Sequence, residues 1–214
     1  MPDPIADLVQ AATDLSVRPG RRLLGITGPP GSGKTVLAET LAAALGPRAA
    51  LAPMDGFHLA GAELVRLGRT ERKGAPDTFD AYGYVALVKR LRSADEPVVY
   101  APRFDRTIEE PIAAAIEIAR EVALVITEGN YLLATDEPWS TVAGLLDECW
   151  FVESDERLRL RRLIDRHVTY GRSAEQAHER ATGSDARNAR IVAATRSRAT
   201  RVVRVPGLAV GSRT

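Results

Sequence analysis

The segment Gly28-Pro29-Pro30-Gly31-Ser32-Gly33-Lys34-Thr35 has the spacing G-x-x-x-x-G-K-[ST]. Each fixed position has a chemical reason. The glycines let backbone N–H groups turn inward and approach phosphate oxygens. Lys34 brings a mobile positive charge to the β- and γ-phosphates, and the Thr35 hydroxyl can ligate Mg²⁺. A helix starting here would point its positive N-terminal end at the same anion. The segment lies between an apolar run, Arg22 to Thr27, and a helix-forming stretch, Thr35 to Leu45, which is the context a phosphate loop requires. Lysine is scarce: only Lys34, Lys73 and Lys89 occur, and one of the three falls on the motif. These eight residues are expected to bind ATP.

Other residues narrow the chemistry. Asp55 follows the apolar run Ala49 to Pro53. In a parallel sheet a carboxylate just beyond a strand's C-terminal end faces the ligand crevice. There it could take a proton from an attacking hydroxyl or hold a magnesium-bound water; a helix cap or turn is the bland alternative. Glu128 ends the run Leu124 to Thr127 as a Walker-B-type acid would, with Glu in place of the more usual Asp. Between Arg157 and His167, Arg159, Arg162 and Arg166 share one helical face, while Leu160, Leu163, Ile164 and His167 form an inward stripe. Cations on one face suit the dispersed charge of a phosphoryl-transfer transition state; a solvated arginine-rich face is the alternative. No Asn-Lys-x-Asp segment is present, which excludes a guanine-selective GTPase, and a transporter ATPase would need a longer domain with its own signature segment.

In chain order, the phosphate loop, Asp55-Gly56-Phe57-His58, Phe79-Asp80, Pro102-Arg103-Phe104-Asp105, Glu128-Gly129-Asn130-Tyr131, Arg161-Arg162 and Gly171-Arg172 resemble the phosphoribulokinase/uridine kinase family, which includes bacterial type I pantothenate kinases. The similarity runs from about Arg22 to Val205, towards small bacterial members labelled nucleoside/nucleotide kinase-like or fructokinase-like. It implies an α/β fold: a P-loop NTPase three-layer αβα sandwich with a parallel central sheet and a helical lid at about 157–184. It also implies ATP and Mg²⁺ as cofactors, Asp55 as general base, Lys34, Arg162 and Arg166 as the cations of the transfer, Thr35 and Glu128 at the metal, and Arg172 beside the nucleotide. Phe57, His58, Phe79, Asp80, Arg103 and Asp105 would line the acceptor pocket, and Arg106 could fall there too.

Two departures bear on the acceptor. The base-recognition pattern of uridine kinases does not map cleanly onto this chain. Arg72-Lys73-Gly74-Ala75-Pro76-Asp77 is basic where nucleoside kinases tend to carry a histidine. The expected activity is therefore phosphorylation of a hydroxyl on a small metabolite: a nucleoside, a sugar or a pantothenate-like acceptor. Arg72, Lys73, Arg103 and Arg106 would suit an anion, and His58, Asp80 and Asp105 would suit hydroxyls. Aromatic candidates for base stacking are few: Phe57, Phe79, Tyr82, Tyr84 and Phe104. An ATP-binding regulatory module with little turnover is the alternative from another class, and a nucleic-acid end kinase is a third reading.

The chain has 214 residues and 23.1 kDa, enough for one domain over 1–214 that buries ~70% of its unfolded surface without a staple. A net charge of +1 argues against a nucleic-acid-coating protein. It hides an asymmetry: Trp150 to Arg204 holds thirteen arginines against seven acids, a local +6, leaving −5 elsewhere. The single Cys149 lies in an apolar stretch and reads as a small buried hydrophobe. No signal-peptide pattern and no run of ~18 apolar residues is seen, so a cytoplasmic protein without a membrane or nucleic-acid partner is expected, with a homodimer open. Strands are expected at 22–27, 49–53, 97–101, 123–127, 148–152 and 201–205, in the alternating pattern of a parallel sheet. Helices are expected at 3–16, 35–45, 80–92 capped by Asp80, from Ser154, from a capping box at Ser173, and at 185–197. Residues 66–78 read as a loop, 113–120 as either helix or strand, and 207–214 as frayed.

Overall fold

The computed structural model describes residues 4–204; the expectations for residue 3, Val205 and 207–214 lie outside them. Helix α1 (Pro4–Ser16) precedes strand β1 (Arg22–Thr27), α2 (Lys34–Leu45) and β2 (Ala49–Leu51). Helices α3 (Gly61–Arg66) and α4 (Ala81–Ser93) lead to β3 (Val98–Asp105), β4 (Glu110–Ala119) and β5 (Leu124–Gly129). Then come β6 (Glu148–Glu153), α5 (Glu156–Thr169), α6 (Ala174–Thr182), α7 (Ser184–Ala193) and β7 (Arg201–Arg204).

The strands with continuous apolar runs form one five-stranded sheet, ordered β2-β5-β1-β6-β7, with every neighbouring pair parallel. Such strands are buried on both faces, which is why β1 and β5 read as unbroken apolar runs. Period-two alternation divides their side chains between two cores. Leu24, Ile26, Leu124, Ile126, Trp150 and Val152 meet α1 and α2 on one face. Leu23, Val125 and Phe151 meet α4 and the segment around Trp139 on the other. The result is a three-layer αβα sandwich. Each fully buried aliphatic or aromatic side chain is worth roughly 1.5–3 kcal/mol. A half-exposed ion pair such as Arg90–Glu96 is worth about 0–1 kcal/mol, so the two cores dominate.

The apolar run near 97–101 does not join this sheet. It extends to Asp105 and pairs antiparallel with β4 in a separate two-stranded sheet. The connection is only residues 106–109, too short for the crossover a parallel pair needs. This pairing also settles 113–120 as strand: Ile116 and Ile118 face Ala101 and Val99 across the ladder, and Val99 and Ile118 are fully buried. Cross-strand packing overrides the helix preference of the alanines. At the start of α5 the cap is Asp155, which accepts from the Leu158 N–H, one residue beyond the expected Ser154. Asp80 and the Ser173 capping box stand where expected.

On the α4 face the Thr127 hydroxyl donates to the Ala52 carbonyl at 2.6 Å, and the fully buried Tyr84 hydroxyl donates to Thr127 at 2.7 Å. This relay fixes the chain just before Asp55. Thr127→Val would leave both a buried donor and a buried acceptor unpaired, a cost of about 2–4 kcal/mol, whereas Tyr84→Phe leaves the Thr127–Ala52 bond intact and should cost only about 1 kcal/mol. Urea unfolding of the two variants checks the ranking; equal losses would contradict it.

Candidate active site

The phosphate loop leaves β1 in the middle of the sheet, between the strands that carry Glu128 and Trp150. Gly33 adopts φ 97° as the N-cap of α2, and Gly31 adopts φ 82°. A side chain at Gly31 would stand 2.7 Å from the Arg159 carbonyl oxygen, so α5 packs directly on the loop's backbone. Arg159 fastens this contact. It is 3% exposed, donates to the Pro30 carbonyl at 2.8 Å, and is held by both carboxylate oxygens of Glu156. Gly31 is thus required by tertiary packing although the motif leaves its position free.

Lys34 is buried at the start of α2. Burial pushes its pKa down, and the carboxylates of Glu128 and Asp55 oppose that shift. Glu128 sits on the α2 face of β5, where Thr35 donates to its Oε1 at 3.1 Å. Burial and the nearby Asp55 charge raise the Glu128 pKa. Its other oxygen, Oε2, is buried with no partner, as are Ser32 Oγ and Asn130 Oδ1. Unpaired buried oxygens clustered at a phosphate loop are the exception that calls for a ligand. The Thr35 hydroxyl and Glu128 Oε2 are hard oxygen donors of the kind Mg²⁺ takes, and they fit that ion.

Asp55 occupies a short turn, Met54–Phe57, beyond β2. Gly129 backs the turn, since a side chain there would stand 2.5 Å from Met54 Cβ. Arg106, from the tip of the β3–β4 hairpin, pairs with Asp55 Oδ2 at 3.0 Å. Burial opposes the Asp55 charge, but the neighbouring His58 and the cations Arg106, Lys34 and Arg166 outweigh it and hold the carboxyl below its usual 3.8. His58 Nδ1 donates to the Asp55 carbonyl at 2.8 Å. Burial lowers the His58 pKa, so the ring is neutral at pH 7 and Nε2 keeps a lone pair.

Lys34, Asp55, His58, Phe79, Arg106 and Arg166 line one cavity of ≈ 90 Å³. The Arg166 guanidinium makes no hydrogen bond or ion pair among the described residues; burial, and Arg106 nearby, lower its pKa, although a guanidinium stays charged. Arg172 donates to His167 Nδ1 at 3.1 Å, which leaves the ring proton on Nε2 to meet Asp185 Oδ2 at 2.7 Å. This buried relay ties α5 to α7 and aligns Arg172 along the cavity wall.

Of the residues expected from sequence, Pro30, Lys34, Asp55, His58, Phe79, Arg166 and Arg172 line the cavity, with Thr35 and Glu128 beside it. Phe57, Asp80, Arg103, Asp105 and Arg162 do not. Phe57 packs edge-on against Tyr84 and faces a separate groove. Asp80 is exposed and spends its carboxylate capping α4. Arg103 is exposed on β3, and Asp105 accepts from the Thr107 backbone and hydroxyl within the hairpin turn. Arg162 is half-buried four residues before Arg166. Arg159 shares the face of Arg166 but serves the loop backbone. The inward stripe of α5 is Arg159, Leu163 and His167, with Leu160 and Ile164 only half-buried. Sequence reasoning missed the cavity roles of Arg180, Asn130 and Tyr170. Asn130 alone had a signal, its place two residues after the strand-end Glu128.

A parallel sheet with a phosphate loop at its centre and strand-end acids on the two strands to one side of it is the architecture of a P-loop kinase. No family model matches the chain. It is 34% identical over 197 residues to the Schizosaccharomyces pombe protein named "putative uridine kinase C227.14", spanning 87% of this chain and 84% of that one. It is 42% identical over 125 residues to the ATP-dependent kinase-like protein notR' of Aspergillus versicolor, 55% of this chain and 73% of that one. The crystal structure of a "putative fructose transport system kinase" from Silicibacter sp. TM1040 superposes with a TM-score of 0.83 at 37% identity, covering 92% of this chain and 98% of that one. The chain belongs to the phosphoribulokinase/uridine kinase family of P-loop kinases. Among the described residues no helix is long and apolar enough to cross a membrane.

Gly31→Ala tests the packing of α5 on the loop. Left-handed backbone plus a clash with a carbonyl oxygen should cost about 1–3 kcal/mol in thermal or urea unfolding and weaken ADP binding; an unchanged variant would refute the contact.

Proposed function

We propose that the protein transfers the γ-phosphoryl group of ATP to a hydroxyl of a small metabolite. The observation that carries this reading is the Asp55 carboxylate, ionised and oriented by Arg106, sharing one cavity with Lys34 and Arg166. A protein that only bound nucleotide would have no use for an oriented strand-end carboxylate beside the phosphate loop.

The loop's backbone N–H groups and the start of α2 hold the phosphates. Lys34 meets the β- and γ-phosphates, and Arg166 adds a second charge to the transferred group. The acceptor oxygen forms the new bond to the γ-phosphorus as the bond to the β–γ bridging oxygen breaks, and that oxygen leaves with ADP. Asp55 accepts the hydroxyl proton. Its depressed pKa makes it a weak base, which suits a loose transition state in which the proton leaves late and orientation matters more than basicity. Thr35 and Glu128 would hold Mg²⁺, which neutralises phosphate charge when bound. Helices α5–α7 act as the lid over the nucleotide, with Arg172 positioned by His167.

Asp55→Asn keeps the shape and removes the base. Turnover should fall about 10²- to 10⁴-fold with little change in the ATP KM, and by the same factor between about pH 6 and about pH 8, because Asp55 is fully ionised throughout. Acceptor-stimulated ADP release measures it; near-normal turnover would remove Asp55 from this role.

A further inference from the structure

The far end of the cavity speaks to the acceptor, given the reading above in which its hydroxyl lies at Asp55. Lys34, Arg166, Asp55 and His58 share the cavity wall, and His58 leads on to Lys73 through Phe104, whose ring lies 4.7 Å from the His58 ring and 5.0 Å from the Lys73 ammonium.

Neither Phe79 nor Phe104 along this path offers an open face to a nucleobase; Tyr170, which follows α5, also lines the cavity and is 44% exposed. Phe79 is 6% exposed; the His58 ring lies across it at 4.0 Å, and Tyr131 and Trp139 meet it edge-on at 5.8 Å. Phe104 has His58 at 4.7 Å, the Lys73 ammonium at 5.0 Å and the Arg106 guanidinium at 5.8 Å. Tyr84 is fully buried, and Phe57 looks into the other groove.

The end wall is cationic, with weak compensation. Lys73 donates to the Glu109 backbone carbonyl; the Glu109 carboxylate is 3.8 Å away and 44% exposed. Arg180, from α6, donates to the carbonyls of Glu71 and Lys73, and its Nε is buried without a partner. Both cations line the cavity with their hydrogen bonds going to neutral carbonyls; the carboxylates beside them there are Glu109, in a long ion pair with Lys73, and Asp185, so the cations Lys73, Arg106, Arg172 and Arg180 outnumber the acids at this end. Two of the chain's three lysines, Lys34 and Lys73, thus line one cavity.

We propose that the phosphoryl acceptor is a small hydroxylated anion, with a hydroxyl at Asp55 and His58 Nε2 and a carboxylate or phosphate group at Lys73 and Arg180. His58, whose Nδ1 already donates to Asp55, can only accept at Nε2, which suits a donating hydroxyl. Lys73 and Arg180 supply charge-assisted hydrogen bonds to the anionic end.

The test is ADP release by the full chain with Mg²⁺ and ATP, across hydroxycarboxylates, sugar phosphates, and their neutral counterparts among polyols, hexoses and nucleosides. An anionic compound should exceed its neutral counterpart in kcat/KM by about tenfold or more. The carboxylate and phosphate arms tell the two anions apart. Lys73→Gln should raise the KM for that anion about 10- to 100-fold and leave the ATP KM unchanged, and Lys73→Arg should recover part of the loss. A nucleoside or neutral sugar as best acceptor, or a KM unmoved by Lys73→Gln, would overturn the proposal while leaving the kinase reading in place. ADP release with none of the compounds would instead remove the kinase reading. The Tm of the ADP-loaded protein then still decides the anion site: a rise with anions alone that Lys73→Gln abolishes upholds it, and no rise overturns it.

Discussion

Charge buried around one cavity is the constraint on which the rest of the structure depends. Lys34 and Glu128 are buried, Asp55, Arg106 and Arg166 are half-buried, and all five act on one another. Burying an ion without compensation costs several kcal/mol, so such a group persists only where partners are fixed in place. Asp55 and Arg106 compensate each other at 3.0 Å. Glu128 is served on one oxygen by Thr35 and left open on the other. The Arg166 guanidinium faces the cavity with no hydrogen-bonding partner among the described residues. Three cations against two acids leave the set at +1, an excess that in the proposed reading meets the net negative charge of a magnesium–nucleotide complex.

The fold can be understood as the means of bringing these groups to one place. In the order β2-β5-β1-β6-β7, the strands before Asp55 and Glu128 and the strand before the phosphate loop are neighbours, so their C-terminal ends converge. Alternation then sends Glu128 to the α2 side, against Thr35, and Thr127 to the α4 side, where its relay fixes the approach to Asp55. The arginines come from outside the sheet. Arg159 and Arg166 lie two turns apart on α5: the first clamps the loop's backbone and the second faces the cavity. Arg106 arrives from the antiparallel hairpin, and Lys73 from a segment that Arg180 of α6 holds by its carbonyls.

What could be seen in the sequence was what depends on short stretches of chain. The phosphate loop and the strand-end acids Asp55 and Glu128 are set by a strand and the turn after it, and both the sheet and the three layers follow from unbroken apolar runs alternating with amphipathic helices. What could not be seen depends on distant pairing. Whether 113–120 is strand is decided by its register against β3, and that pairing alone places Arg106. Neighbours also diverge: His58 turns into the cavity while Phe57 turns away, a difference of side-chain direction within one short turn. Asp80, plausible as a pocket carboxylate, is taken by the free N–H groups of α4, a local demand that outcompetes a distant one. Arg159 was legible as one of a cationic row, but its service to Pro30 required knowing that α5 rests on the loop.

The most direct measurement concerns Arg166, the half-buried cation on the cavity wall that the proposed reading assigns to phosphate. Replaced by methionine, which keeps the apolar stem and removes the charge, the nucleotide-free protein should unfold at a Tm equal to or higher than the parent, since desolvation and repulsion from Arg106, which outweigh the attraction of Asp55, Asp185 and Glu128, are relieved. The stabilisation gained on adding Mg²⁺ and ATP should at the same time shrink, by about 1–3 kcal/mol, the worth of a charged hydrogen bond to phosphate. A nucleotide-free variant clearly less stable than the parent, with undiminished stabilisation by nucleotide, would contradict a cavity whose charges are completed by phosphate.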